Sequence, residues 1–128
     1  NPIAKRETFS ESGSINCILE FDGNLYLGAD SGDVIRTNWK GKRISTFRIG
    51  SSTSSSPIVC MATDLKKRIA VGQFNGAISI LSMGSKSLKS SSEHVSRNGP
   101  IWSLGIDEVS LLSSSINGQI LLYSYSCL

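Results

Sequence analysis

Apolar residues along the chain fall in short runs rather than in helical stripes. Leu25-Tyr26-Leu27, Arg68-Ile69-Ala70-Val71 and Val109-Ser110-Leu111-Leu112 each follow a turn-forming group, Asp22-Gly23-Asn24, Asp64-Leu65-Lys66-Lys67 and Asp107-Glu108. Each run then reaches a second turn, Ser31-Gly32, Asn75-Gly76 or Asn117-Gly118. Asn-Gly steps favour tight hairpins because both residues tolerate positive φ at low cost, and Ser-Gly does the same with a weaker first residue. Beyond the turns lie Val34 to Thr37, Ile78-Ser79-Ile80-Leu81 and Ile120-Leu121-Leu122-Tyr123, with apolar residues on both faces. That pattern predicts strands in sheets covered on both sides. No segment sustains a 3.6-residue apolar period with caps, so the chain is predicted to be all-β.

These elements repeat. Ser14-Ile15-Asn16-Cys17-Ile18, Pro57-Ile58-Val59-Cys60-Met61 and Pro100-Ile101-Trp102-Ser103-Leu104 superimpose, with 43 residues from Cys17 to Cys60 and 43 from Cys60 to Ser103. The glycine turns keep nearly the same step, 44 residues from Gly32 to Gly76 and 42 from Gly76 to Gly118. Two independent landmarks sharing one period identify a repeat architecture.

Four-stranded antiparallel units at a period of about 40–45 residues resemble the blades of WD-repeat β-propellers. The resemblance covers roughly Ser14 to Cys127, and Gly99-Pro100-Ile101-Trp102-Ser103-Leu104 is similar to the inner strand of such a repeat. In the family pattern the glycine turn is followed two and four residues on by apolar side chains, then by Trp and Asp. Here the pairs are Val34/Arg36, Ile78/Ile80 and Ile120/Leu122; the Trp place holds Thr37, Leu81 and Tyr123, and the Asp place holds Asn38, Ser82 and Ser124. The signature dipeptide is therefore absent from all three units. Arg36 in an apolar place leaves a shifted register open for the first unit, with Trp39 as its packing residue. His94 echoes the family's Gly-His element without the Gly.

The expected architecture is an all-β propeller arc of three blades, part of a ring of roughly six to eight. Residues 1–13 hold a candidate outer strand (Ala4 to Phe9), 14–50 blade one, 51–96 blade two, and 97–128 blade three without its outer strand. In closed rings of the resembled family an N-terminal outer strand completes the last blade, which suits this inventory. Three blades cannot close a ring, since propellers take roughly four to eight. Completion is expected from further blades of the same polypeptide, favoured because the chain begins at Asn1 and not Met. Another chain, or a homodimer mate making six blades, is the alternative. Until then the apolar flanks of the first and last blades are expected to face water.

Composition changes little in this picture. The 128 residues are 39% hydrophobic with a mean hydropathy near zero, which suits a globular chain and not a tail, and no stretch is apolar enough to span a membrane. Three cysteines, Cys17, Cys60 and Cys127, are too few and too far apart for a disulfide scaffold or a zinc site, which points to an intracellular protein, cytoplasmic or nuclear. The 25 serines are expected to lie mostly in turns and connections such as Ser51 to Ser56 and Ser85 to Ser96, where phosphorylation would add negative charge.

Candidate chemistry is sparse. His94, the single histidine, lies in the polar stretch Ser90-Ser91-Ser92-Glu93-His94 and reads as a solvated or turn-capping residue, so no catalytic residue, cofactor or metal is assigned. Asp22, Asp64 and Asp107 recur at turns, which their side chains stabilise. Cys17 and Cys60 read as small packing residues near the propeller centre. The net charge is +3, and one segment is basic: Arg36, Lys40, Lys42, Arg43 and Arg48, interleaved with Trp39 and Phe47, with no acid between Asp33 and Asp64. The expected function is a non-catalytic protein–protein interaction scaffold within a larger complex. The alternative is a phosphate-ligand module for nucleic acid, phosphoinositide or phosphopeptide, built on Arg36, Trp39, Lys40, Lys42, Arg43 and Arg48. On the first view the basic residues are the solvated edge of an outer strand, where lysine discourages edge pairing.

Overall fold

Apolar runs this short, punctuated by residues that accept positive φ, have a cheap solution in antiparallel hairpins. The computed structural model describes residues 13–49, 56–64, 66, 68–83, 88–95, 100–107, 110–115 and 118–124, and every regular element among them is a strand. Blade one contains β1 (Ile15–Phe21), β2 (Asn24–Ala29), β3 (Asp33–Thr37) and β4 (Arg43–Arg48), paired in that order. Blade two contains β5 (Ile58–Thr63), β6 (Arg68–Gln73), β7 (Ala77–Met83) and β8 (Leu88–Val95), again in order. Blade three contains β9 (Ile101–Ile106), β10 (Ser110–Ser115) and β11 (Ile120–Ser124). All pairings are antiparallel. The fold is an all-β propeller segment. The expected outer strand at Ala4 to Phe9 and the Ser51 to Ser55 connection lie outside the described residues.

The repeat reaches below the level of strands. Gly32, Gly76 and Gly118 hold φ of 90°, 91° and 87°, the left-handed backbone that their shared turn requires. Gly32 N–H donates to Ala29 O at 3.1 Å and Gly76 N–H to Gln73 O at 3.0 Å, the same closure in two blades. The start of each inner strand is tied to this turn: Asp30 N–H donates to Ser14 O and Phe74 N–H to Pro57 O, both at 2.9 Å. Each inner strand also carries a bulge at its second residue, Asn16, Val59 or Trp102, where the register with β2, β6 or β10 skips by one. Turn acids behave as their positions suggest. Asp64 Oδ1 accepts from Lys66 N–H at 2.9 Å and Arg68 N–H at 3.0 Å, and Asp107 Oδ1 accepts from Ser110 N–H at 2.7 Å. Asp22 takes φ of 52° in the tight turn it shares with Gly23.

The core lies between blades. Phe21, Tyr26 and Val34 of blade one pack on Ile58, Ile69, Val71 and Leu81 of blade two. Ala70, Ile78 and Ile80 of blade two pack on Ile101 and Leu111 of blade three. Burial of this kind contributes on the order of 25 cal/mol per Å² of apolar surface, and here it joins elements 40 or so residues apart.

Three expectations change. The far face of blade one, Leu25, Leu27, Ala29 and Ile35, is buried, so the two ends of the arc are not equally open. The shifted register of the first unit does not occur: Thr37 is the buried residue and Trp39 is 61% exposed. Thr37 fits there because its hydroxyl donates to Asn38 O at 3.0 Å, leaving a methyl group for packing. Finally, much of the serine excess is in strands, including Ser90, Ser91 and Ser92 of β8, and not mostly in turns and connections. Strand pairing satisfies the backbone there, so serine needs no loop conformation to be accommodated.

Candidate interaction surfaces

The basic segment divides into two groups. Arg36 is held by blade one. Its guanidinium lies 5.9 Å from the centre of the Tyr26 ring, and Asn24 Oδ1, turned towards it, accepts from Arg36 Nη2 at 2.8 Å and Nε at 3.1 Å. This explains how an arginine replaces the apolar residue of the repeat: its charge is spread over an aromatic face and an amide. Arg48 is likewise engaged, with Nε 2.8 Å from Asp33 Oδ1 and Nη1 donating to Ser31 O at 3.4 Å.

Trp39, Lys40, Lys42 and Arg43 form the second group, on the β3–β4 turn and the first residue of β4. Asn38 builds that turn. Its Oδ1 accepts from the N–H groups of Lys40 and Lys42, both at 2.9 Å, while its N–H donates to Lys42 O at 3.0 Å and its carbonyl accepts from Gly41 N–H at 3.0 Å. Gly41 supplies the required positive φ, 86°. The consequence is a stiff turn that carries an exposed indole, Trp39, followed by two exposed lysines, Lys40 and Lys42. The bulge that follows leaves Ile44 without a partner in β3 and exposed. On the opposite rim, the β6–β7 turn presents Phe74, also exposed. That turn is pinned by Asn75, whose N–H donates to Ser56 Oγ and whose Oδ1 accepts from Ala77 N–H, both at 2.9 Å.

Cys17 and Cys60 occupy one repeat position on the inner strands and are free thiols. Burial pushes the Cys17 thiol up to about 11, against a weaker opposing hydrogen bond with the Gly28 backbone. Burial also pushes Cys60 up to about 12, with Cys17 nearby adding to the effect and the Gly72 backbone opposing it. Thiols this reluctant to ionise are poor nucleophiles at neutral pH. Among the described residues no group of His, Cys, Asp and Glu is arranged to hold a metal. His94 lies in β8 opposite Ile78.

The apolar flank expected to face water on the last blade is found on blade three, at residues the sequence reading did not assign to it. Ile120 and Leu122 are 73% and 68% exposed, although Ile78 and Ile80, at the same places in blade two, are 0% and 2% exposed. The signal was in the repeat alignment itself: a position that is interface in two units becomes surface in the last.

No family model matches the chain, and no curated protein matches it. Solved structures do. U3-55K superimposes with a TM-score of 0.77 at 17% identity, over 92% of this chain and 38% of that one. The computationally designed Ika8 protein gives 0.74 at 17% identity, over 93% of this chain and 36% of its own. BamB from Moraxella catarrhalis gives 0.61 at 17% identity, over 84% and 30% respectively. U3-55K and BamB are propeller proteins, and likeness at this identity defines the fold class, a β-propeller. The chain spans roughly a third of the length of each. No helix is long and apolar enough to cross a membrane among the described residues.

Proposed function

We propose that this chain is a non-catalytic interaction scaffold, a WD-repeat-like propeller segment that docks protein partners within a larger assembly. The observation that carries this reading is the pair of aromatic side chains held exposed on stiff turns at opposite rims, Trp39 and Phe74. Exposed aromatics that lose little entropy on binding are the usual anchors of protein interfaces. The WD-repeat likeness rests on the 43-residue step and on Gly99 to Leu104. An intracellular setting, cytoplasmic or nuclear, accords with free thiols at Cys17 and Cys60. Further blades complete the ring. The test is quantitative affinity purification from cells with Trp39→Ala and Phe74→Ala, alongside urea midpoints. Loss of a defined set of co-purifying proteins at unchanged stability supports the scaffold; identical partner sets for both variants overturn it.

A second reading is carried by the same turn, which presents Trp39, Lys40 and Lys42 exposed within four residues. It is a phosphate-ligand site of Trp39, Lys40, Lys42 and Arg43, with Arg36 and Arg48 already engaged by blade one. Binding of single-stranded oligonucleotide, phosphoinositide vesicles or phosphopeptide would then fall steeply between about 50 and 200 mM salt. Charge reversal at Lys42 and Arg43 with no effect on any of the three would remove this reading.

A further inference from the structure

The two interfaces inside the chain are built alike. In the first, Ile58 inserts where blade one has Gly28; a Cβ on that glycine would lie 2.5 Å from Ile58 Cγ2 and 2.5 Å from Cys17 Sγ. In the second, Ile101 inserts over Gly72, whose Cβ would lie 2.7 Å from both Ile101 Cγ2 and Cys60 Sγ. Ile58 and Ile101 are each the first residue of the next inner strand. Glycine is required because the incoming isoleucine fills the space of its missing side chain.

On blade three the same place holds Ser114, paired with Ser103 on β9 and Ile120 on β11. Its Cβ and hydroxyl occupy the volume that an isoleucine would need. The apolar positions beside it are retained and exposed, so the face keeps the character of an interface while its deepest point has become shallower. Ser103 replaces the cysteines of the other units. Cys60 Sγ, 3.8 Å from Ile101 O, donates to the first carbonyl of the incoming strand; the Ser103 hydroxyl stands where it would do the same.

We infer that blade three is covered by a further four-stranded blade, next in chain order, whose inner strand begins with glycine, alanine or serine. This rests on the ring-completion part of the scaffold reading and adds its selectivity. Chain order is chosen because both internal interfaces are made between one blade and the next. A second copy of this chain does not fit. Its first inner-strand residue is Ile15, which meets the Ser114 obstruction, and its far face is already buried at Leu25, Leu27 and Ile35.

The test appends a copy of residues 51–96 after Leu128 and follows maleimide labelling at Leu122→Cys by site-resolved mass spectrometry. Ile58→Ala in the appended blade should slow labelling by about tenfold relative to the unextended chain, while the unaltered blade protects several-fold less. With Ser114→Gly the order reverses, since the unaltered blade then recreates the internal interface. Equal or better protection by the unaltered blade over Ser114 overturns the size selection and leaves ring completion standing. Failure of every appended blade to protect, Ser114→Gly included, overturns ring completion as well. An unextended chain that sediments as a dimer with Leu122→Cys protected overturns the choice of occupant. Docking through Trp39 is measured separately and stands or falls without these results.

Discussion

Gly72→Ala places a methyl group at the tightest point of the second blade interface. The new Cβ would sit 2.7 Å from Cys60 Sγ and Ile101 Cγ2, and 3.1 Å from Ile101 Cβ. Comfortable carbon contacts are about 3.5–4.0 Å, so these groups must separate by roughly 0.5–1 Å. The Cys60 thiol can turn away, but Ile101 is β-branched and fully buried, and its Cβ moves only with the strand. Overpacking of this kind costs about 1–3 kcal/mol. Ile101→Ala alone should cost about 2–5 kcal/mol through the cavity it leaves. The two changes are complementary, because the added methyl enters the space that the isoleucine vacates. In urea unfolding the double variant should therefore be more stable than the sum of the single effects by about 1 kcal/mol or more. Gly118→Ala is the control: nothing lies within 4 Å of its Cβ, so its cost comes from φ of 87° and should not couple to Ile101. Additivity of Gly72→Ala and Ile101→Ala within about 0.5 kcal/mol would refute the interlocking described here.

Ser79 is buried between blades one and two with its hydroxyl unpartnered in the protein, so Ser79→Ala should raise stability by about 1 kcal/mol in the same assay; a loss of that size would show that the hydroxyl is satisfied. Asp64→Ala removes the acceptor for two backbone N–H groups and should cost about 1–2 kcal/mol, with Asp64→Asn recovering most of it. Both described thiols have raised folded-state pKa values, so above the ordinary thiol range only the unfolded chain loses those protons. Their contribution to stability is thus intact below about pH 8.5 and declines as pH rises towards 11–12. In a Cys127→Ser background, iodoacetamide at pH 8 should modify Cys17 about a hundredfold more slowly than it does in urea-unfolded chain; equal rates would contradict the burial.

Much of the fold was legible because the turns state it. Asn75-Gly76 and Asn117-Gly118 marked hairpins whose glycines have the expected positive φ, and the three units form three successive antiparallel sheets. Pairwise contacts between units were less accessible. Gly28 and Gly72 look like ordinary strand glycines until Ile58 and Ile101 are seen filling their side-chain space. Arg36 misled the reading of unit one, because a single sequence does not reveal that Tyr26 and Asn24 accept its charge. That same uncertainty promoted Trp39 to a packing role, whereas Asn38 turns the chain and leaves the indole outside. The unequal ends of the arc also escaped notice, since patterning gives Leu25, Leu27, Ile120 and Leu122 the same apolar label.

On the ring-completion proposal, blade three is an interface and not a finished edge. The direct measurement is site-resolved maleimide labelling at Leu122→Cys in the isolated chain and in the native assembly recovered from cells. Rapid labelling is predicted for the isolated chain, where Leu122 is 68% exposed, with a fall of at least about tenfold in the assembly. Equal labelling in the two states would contradict the claim that this flank is covered.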